Sequence, residues 1–293
     1  MITEMEDIRE VKIEDDNYPD ILRRTVNPPK ILYYIGEFKK EELCLGVVGT
    51  RRCSPYGKQA TADIVRQLIK NQITIISGLA EGIDTIAHQT CVEAGKRTIA
   101  ILGTGLDERS IYPRANINLS KKIVETGGCL ISELPPGTAG SKYSFPNRNR
   151  IISGLSRGVL VIEAKTKSGA LITASYARKQ GKKLFAIPGS IYSANSTGTN
   201  RLIKAGAKLV DNADDILQEL NLPTPQKQLD LNYDSRNEEE SLIIKAVSKE
   251  PLHIDKIIEK TKLHATIVAS TLAILETNNK VKNLGGNVYT IIR

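Results

Sequence analysis

"LCLGVVGTRRCSPYGKQATADIVRQLIKNQITIIS", residues 43–77, decides the fold. Its two short runs, 43–49 and 73–77, are apolar at most positions rather than alternating, as strands covered on both faces require. Between them, 55–71 repeats apolar positions at helical spacing, with Ser54 placed to cap and Pro55 suited to the first helical position. The same pattern continues outward. Apolar runs at 98–102, 129–132, 158–164, 183–188 and 207–210 alternate with helical stretches such as 81–95. Seven such strands predict an α/β fold, an extended Rossmann-like, doubly wound, mainly parallel sheet over residues 41–221. Residues 1–40 are expected as an N-terminal extension packed on it.

Beyond that sheet, residues 222–240 read as an acidic, proline-bearing linker. Residues 241–293 hold three helical patterns (241–249, 253–261, 265–278) and then a hairpin turning on Gly285-Gly286, which together suggest a winged helix. Its third helix has no Lys or Arg from Leu263 to Asn279. A groove-reading helix needs phosphate contacts, so a protein-contact or auxiliary role is expected here.

The chain has 41 Lys and Arg against 33 Asp and Glu, a net charge of +8, and that surplus is not spread evenly. Residues 141–208 carry thirteen basic side chains and a single acid, Glu163, whereas 209–241 carry nine acids against two bases. A block of one sign implies a basic face and an acidic polymer as its partner. The four cysteines occur singly, which argues against a zinc site or disulfide framework and for reduced thiols in a cytoplasmic protein. No apolar run approaches the ~20 residues of a membrane span, so no membrane partner is expected.

In a parallel sheet, ligands sit at the carboxyl ends of the strands, where helix N-termini point N–H groups outward. The first such loop, "GTRRCSPYG", offers one glycine and Arg51 in place of a dinucleotide fingerprint. Walker A and H-E-x-x-H patterns are missing, and the G-x-S-x-G string at 154–158 precedes an apolar run instead of following one, so it is no nucleophile elbow. Several glycine-opened loops share this edge, and Gly49, Ser54, Gly78, Gly82 and Gly169 form the expected anion cradle. No cofactor, metal or catalytic set is predicted.

The stretch "SKYSFPNRNRIISGLSRGVLVIEA", 141–164, crowds Lys142, Arg148, Arg150 and Arg157 around Phe145 in a chain that is only 4% aromatic. Cations beside an exposed ring suit single-stranded nucleic acid, whose bared bases stack on aromatic side chains while its phosphates are neutralised. Four to six phosphate contacts imply a log–log salt slope of about −3 to −4. The alternative on spacing alone is Phe145 as a core anchor with the arginines on a solvated helix face.

"YPDILRRTVNPPKILYYIG" (18–36), "SGLAEGIDTIAH" (77–88), "GTGLDERSIYPRAN" (103–116), "FPNRNRIISGLS" (145–156) and "GTNRLIKAGA" (198–207) resemble, in order, the motifs of the DNA-processing protein A family, DprA or Smf. The resemblance implies a non-enzymatic single-stranded DNA-binding protein of natural transformation. Such a protein protects incoming strands, helps load the RecA recombinase and forms a homodimer through its Rossmann domain. Carried over by motif, the contacts are Arg51, Lys142 and Phe145, then Arg148, Asn149, Arg150, Lys167 and Ser168, with Arg114 beside Tyr112-Pro113. The alternative is a nucleotide-processing enzyme like the phosphoribohydrolases. Here, though, Pro188-Gly189 is followed by "SIYSANSTGTN", without the second glycine or the catalytic Glu of that motif. A third reading, an adaptor whose dimer and winged helix bind protein partners, can coexist with the first.

Overall fold

The structure, a computed structural model, describes residues 8–223, 238–248, 250–278 and 280–292. The chain divides into two compact units between Thr224 and Pro225. Most of the expected linker, 224–237, lies outside the described residues.

The first unit is built on one nine-stranded sheet. In chain order its elements are β1 (Arg9–Lys12), α1 (Asp20–Arg23), β2 (Ile31–Gly36), β3 (Cys44–Val48), α2 (Pro55–Lys70), β4 (Thr74–Ser77) and α3 (Ile83–Glu93). Then come β5 (Thr98–Leu102), α4 (Ile117–Glu125), β6 (Cys129–Ser132), α5 (Ser144–Leu155), β7 (Gly158–Val161), α6 (Gly169–Lys179), β8 (Lys183–Ala186), α7 (Thr197–Lys204), β9 (Lys208–Leu209) and α8 (Ala213–Glu219). The seven strands read from the sequence are all present and mutually parallel, ordered β6-β5-β4-β3-β7-β8-β9. Two further strands escaped that reading. The segment expected as an extension supplies β1 and β2, which join the sheet antiparallel beside β6.

Strands β3, β4, β5, β7 and the first of their helices explain the architecture. Every residue of β3, β4, β5, β6 and β7 is buried, because helices cover both faces. Helix α2 starts where Ser54 accepts a hydrogen bond from the Gly57 amide at 3.1 Å, with Pro55 in its first turn. It lays Ile64, Val65, Leu68 and Ile69 on the sheet. Sequence order reverses at β3: β4, β5 and β6 extend to one side, β7, β8 and β9 to the other. The loops after β3 and β7 therefore diverge, and the crevice between them is where such folds bind ligands.

The second unit is a winged helix. Helices α9 (Glu238–Val247), α10 (Ile254–Thr261) and α11 (Ala265–Thr277) pack Ile243, Val247, Ile257, Val268 and Leu272 together. Strands β10 (Leu252–His253), β11 (Val281–Asn283) and β12 (Val288–Ile291) form its sheet in the order β10-β12-β11. The wing turns through Gly285, Gly286 and Asn287, all at positive φ. No helix among the described residues is long and apolar enough to cross a membrane.

Candidate nucleic-acid interface

The switch point between β3 and β7 opens into a cleft of about 470 Å³. Its walls are the loop after β3, the loop after β7 with the start of α6, and the first turns of α5. Backbone bonds set the loop after β3: the Thr50 amide donates to the Glu163 carbonyl at 2.8 Å, and the Ile83 amide donates to Thr50 O at 3.2 Å. Gly82 must be glycine here, since it sits at φ +82° and a Cβ would fall 2.4 Å from Thr50 O.

Four cations line the cleft with their side chains exposed: Arg51, Lys142, Lys165 and Lys167. Beside them α6 begins. Ser168 caps it, accepting from the Ala170 amide at 3.3 Å, and the space beyond Gly169 is open. Asn149 donates to Gly169 O at 3.3 Å and holds α5 against this end. A helix N-terminus opening beside four cations has the charge and the N–H groups that suit an anion.

Phe145 is half-buried rather than exposed. Its ring packs against Gly103 and Gly140, where any Cβ would collide with it, and its free side faces the cleft. The Arg51 guanidinium carbon lies 5.9 Å from the ring centroid, within cation–π range. Tyr112 stands 5.6 Å away, tilted by 48° and half exposed, and the Lys142 ammonium lies 5.0 Å from the ring of exposed Tyr143. Phe145 thus has an aromatic neighbour in Tyr112, which lines the adjoining hollow, and Lys142 has one in Tyr143. Neither tyrosine was singled out from the sequence as a contact, although their scarcity in an aromatic-poor chain was the available signal.

Several expected contacts are placed elsewhere. Arg148 and Arg150 belong to the same helix, yet both are buried. The Arg148 guanidinium reaches the cleft floor, donates to Ile101 O and faces Asp84, while its Nε has no hydrogen-bond partner. Burial lowers its pKa to about 10, with Asp84 opposing that shift. Burial likewise raises the Asp84 carboxyl, opposed by Arg148 and by the Gly78 amide, which donates to it at 3.1 Å. Gly78 is the residue that lets Arg148 in, because a Cβ there would lie 2.2 Å from Nη1.

Arg150 lies outside the cleft. It pairs with Glu133, and only 6% of its side chain is exposed, so it is scaffold rather than a phosphate contact. Arg114 is exposed but bent back onto its own loop, donating to Glu108 O at 2.8 Å and Arg109 O at 2.7 Å. Ser54 and the start of α2 are also taken. The buried Glu163 carboxylate accepts from the Ser54 amide at 2.9 Å and from its hydroxyl at 2.6 Å, filling the position an external anion would need. Of the expected cradle, Gly169 remains open, Gly49 lines the wall, and Gly78 and Gly82 serve packing.

Among the described residues, the one carboxylate lining the cleft is Asp84, 6% exposed and turned to Arg148. His88 is buried, 2.8 Å from Thr98 Oγ1 through Nδ1. Burial, reinforced by Arg148, holds its imidazole at a pKa of about 3. Among the described residues, no three His, Cys, Asp or Glu side chains gather as a metal site.

Comparison with known proteins places this geometry. The family model for DNA recombination-mediator protein A matches residues 9–221, and the DprA winged helix domain matches 227–287. The chain is 44% identical to the DNA processing protein DprA of Streptococcus pneumoniae over 212 residues, covering 71% of this chain and 72% of that one. It is 40% identical to the Bacillus subtilis DprA over 215 residues, covering 73% and 71%. The X-ray structure of the pneumococcal protein superposes with a TM-score of 0.68 at 42% identity, over 74% of this chain and 75% of the other. A Helicobacter pylori DNA processing protein A, described for its single-stranded DNA binding mode, superposes with a TM-score of 0.65 at 33% identity, over 73% and 96%. A sheet that matches theirs, and a family match running through all nine strands, establish that the chain belongs to the DNA recombination-mediator protein A (DprA/Smf) family.

Proposed function

We propose that the protein binds single-stranded DNA in the switch-point cleft without catalysing a reaction on it. The observation that carries this reading is the convergence of four exposed cations and the open N-terminus of α6 on a half-buried ring with aromatic neighbours. Phosphates meet Arg51, Lys142, Lys165 and Lys167, and an unstacked base lies against Phe145. A duplex offers the phosphates but hides the base faces. The related H. pylori protein, described as a single-stranded DNA binder, supports the same substrate.

The family's description as a recombination mediator supports a further step, in which the protein acts in the cytoplasm during natural transformation. There it shields incoming strands and passes them to the RecA recombinase as a homodimer of the Rossmann unit. Fluorescence anisotropy with labelled oligo-dT and an equal-length duplex tests the central claim. Tighter binding of the single strand, weakening as salt rises, is expected. Equal affinity for both would sink it.

A further inference from the structure

Ile191 and Tyr192 are the two most exposed large apolar side chains among the described residues, at 83% and 93%. They are adjacent, at the tip of the loop that follows β8. Fraying does not explain them, because the loop is pinned at both ends and braced within. The Gly189 amide donates to Asn200 Oδ1 at 3.2 Å, and Asn200 Nδ2 donates back to Gly189 O at 2.9 Å. Ser193 N donates to Ser190 O at 3.0 Å, closing a turn beneath the two side chains. At the far end Asn195 donates to Arg52 O at 3.1 Å and accepts from the Ala164 amide at 2.7 Å. The Tyr56 hydroxyl adds a bond to Pro188 O at 2.7 Å. A braced backbone that holds an aromatic side chain out in water presents it for contact, with the cost of ordering the loop already met.

Those bonds tie the loop to both walls of the cleft: Arg52 follows Arg51, and Ala164 precedes Lys165. Arg52 and Lys165 are both exposed cations, and the sequence holds no acid from 164 to 210. Strand β8 is next to β7 and second from β3, so the loop begins about 5–10 Å from the switch point. A strand rising about 3.4 Å per phosphate crosses that distance in about three nucleotides. We infer that the Ile191–Tyr192 tip is a second stacking subsite, where a single strand leaving the Phe145 cleft over Arg52 and Lys165 lays a further base on the Tyr192 ring. This rests on the function proposed above and extends its footprint.

The chain contains no Trp, so Tyr192→Trp gives a single indole reporter at the tip. Oligo-dT of about twelve nucleotides should quench it. Tyr192→Ala should bind that oligonucleotide about tenfold more weakly, by the usual cost of a lost base stack, with an unchanged salt slope. An exposed position should leave the thermal midpoint unaltered. A silent indole, or Tyr192→Ala binding as wild type while Arg51→Ala fails, overturns the subsite and leaves the cleft intact. Loss of the dimer by gel filtration in Tyr192→Ala with DNA binding retained assigns the ring to a protein contact and overturns it too. Failure of the wild type to bind oligo-dT would instead remove the underlying function.

Discussion

The charge inventory of the cleft converts into a salt dependence. Sequence reading counted four to six phosphate contacts. The structure withdraws Arg148 and Arg150 into the buried layer and Arg114 into its own loop, keeps Arg51, Lys142 and Lys167 exposed at the cleft, and adds Lys165, which the sequence reading had not counted among the contacts. Each neutralised phosphate on a single strand contributes about −0.7 to the log–log slope, so four give about −2.8. From 50 to 200 mM salt, a fourfold rise, affinity should then fall about fiftyfold. Arg51→Ala should reduce the slope to about −2.1 and that loss to about twentyfold. The assay is anisotropy with an oligonucleotide of about five nucleotides, short enough for one cleft. Arg150→Met is the matched comparison. It should leave the slope at its wild-type value and lower unfolding stability by about 2–3 kcal/mol, below the 3–5 of a fully buried pair because Glu133 is 28% exposed. If Arg150→Met flattens the slope as much as Arg51→Ala does, the assignment of one arginine to DNA and the other to scaffold is wrong.

Other consequences follow from single contacts. Phe145→Ala should weaken single-strand binding by about 1–3 kcal/mol while the salt slope stays constant, and an altered slope in the same anisotropy series would contradict stacking. Glu163→Ala strips two charge-assisted bonds from Ser54 and should cost about 3–5 kcal/mol in urea denaturation. Glu163→Gln keeps an acceptor and should cost less than half as much. His88 titrates near 6.5 when unfolded but at about 3 when folded, so the unfolded chain binds the extra proton in between. Stability should therefore fall as pH drops from about 6.5 toward 3, by up to about 4 kcal/mol. The fall should be visibly shallower in His88→Gln, and equal acid sensitivity in the two proteins would count against a buried neutral imidazole.

Strands β3 to β7 were legible because a strand buried on both faces is apolar at nearly every position, a pattern that needs no partner to be recognised. Strand β1, "REVK", was not. It sits at the sheet edge and buries only Val11, so its sequence carries no such mark. The helix holding Arg148 and Arg150 shows the same limit at the site. Spacing places the two arginines on one helix but says nothing of what each side faces. Their partners are Asp84 and Ile101 for one and Glu133 for the other, brought near only by the sheet order. Ser54 was read rightly as a cap, but its second role needs Glu163, 109 residues away.

These hidden charges account for the ones on view. Arg51, Lys142, Lys165 and Lys167 repel one another, and loops free to move would let them spread. The loops that carry them are instead tied by polar contacts: the β3 loop by Ser54 on Glu163, the β6 loop by Glu133 on Arg150, and the β7 loop by Ala164 and Asn195 and by Asn149 on Gly169 O, while Gly78 on Asp84 and Arg148 on Ile101 O brace the floor between. A buried ion pair such as Arg150–Glu133 is a weak contributor to stability, but it and the hydrogen bonds beside it are directional, and direction is what a crowded cationic rim needs. A cleft held open before DNA arrives avoids the ordering cost that a floppy basic surface would meet on binding. On the function proposed above, the buried layer therefore acts on affinity through geometry, without touching the strand.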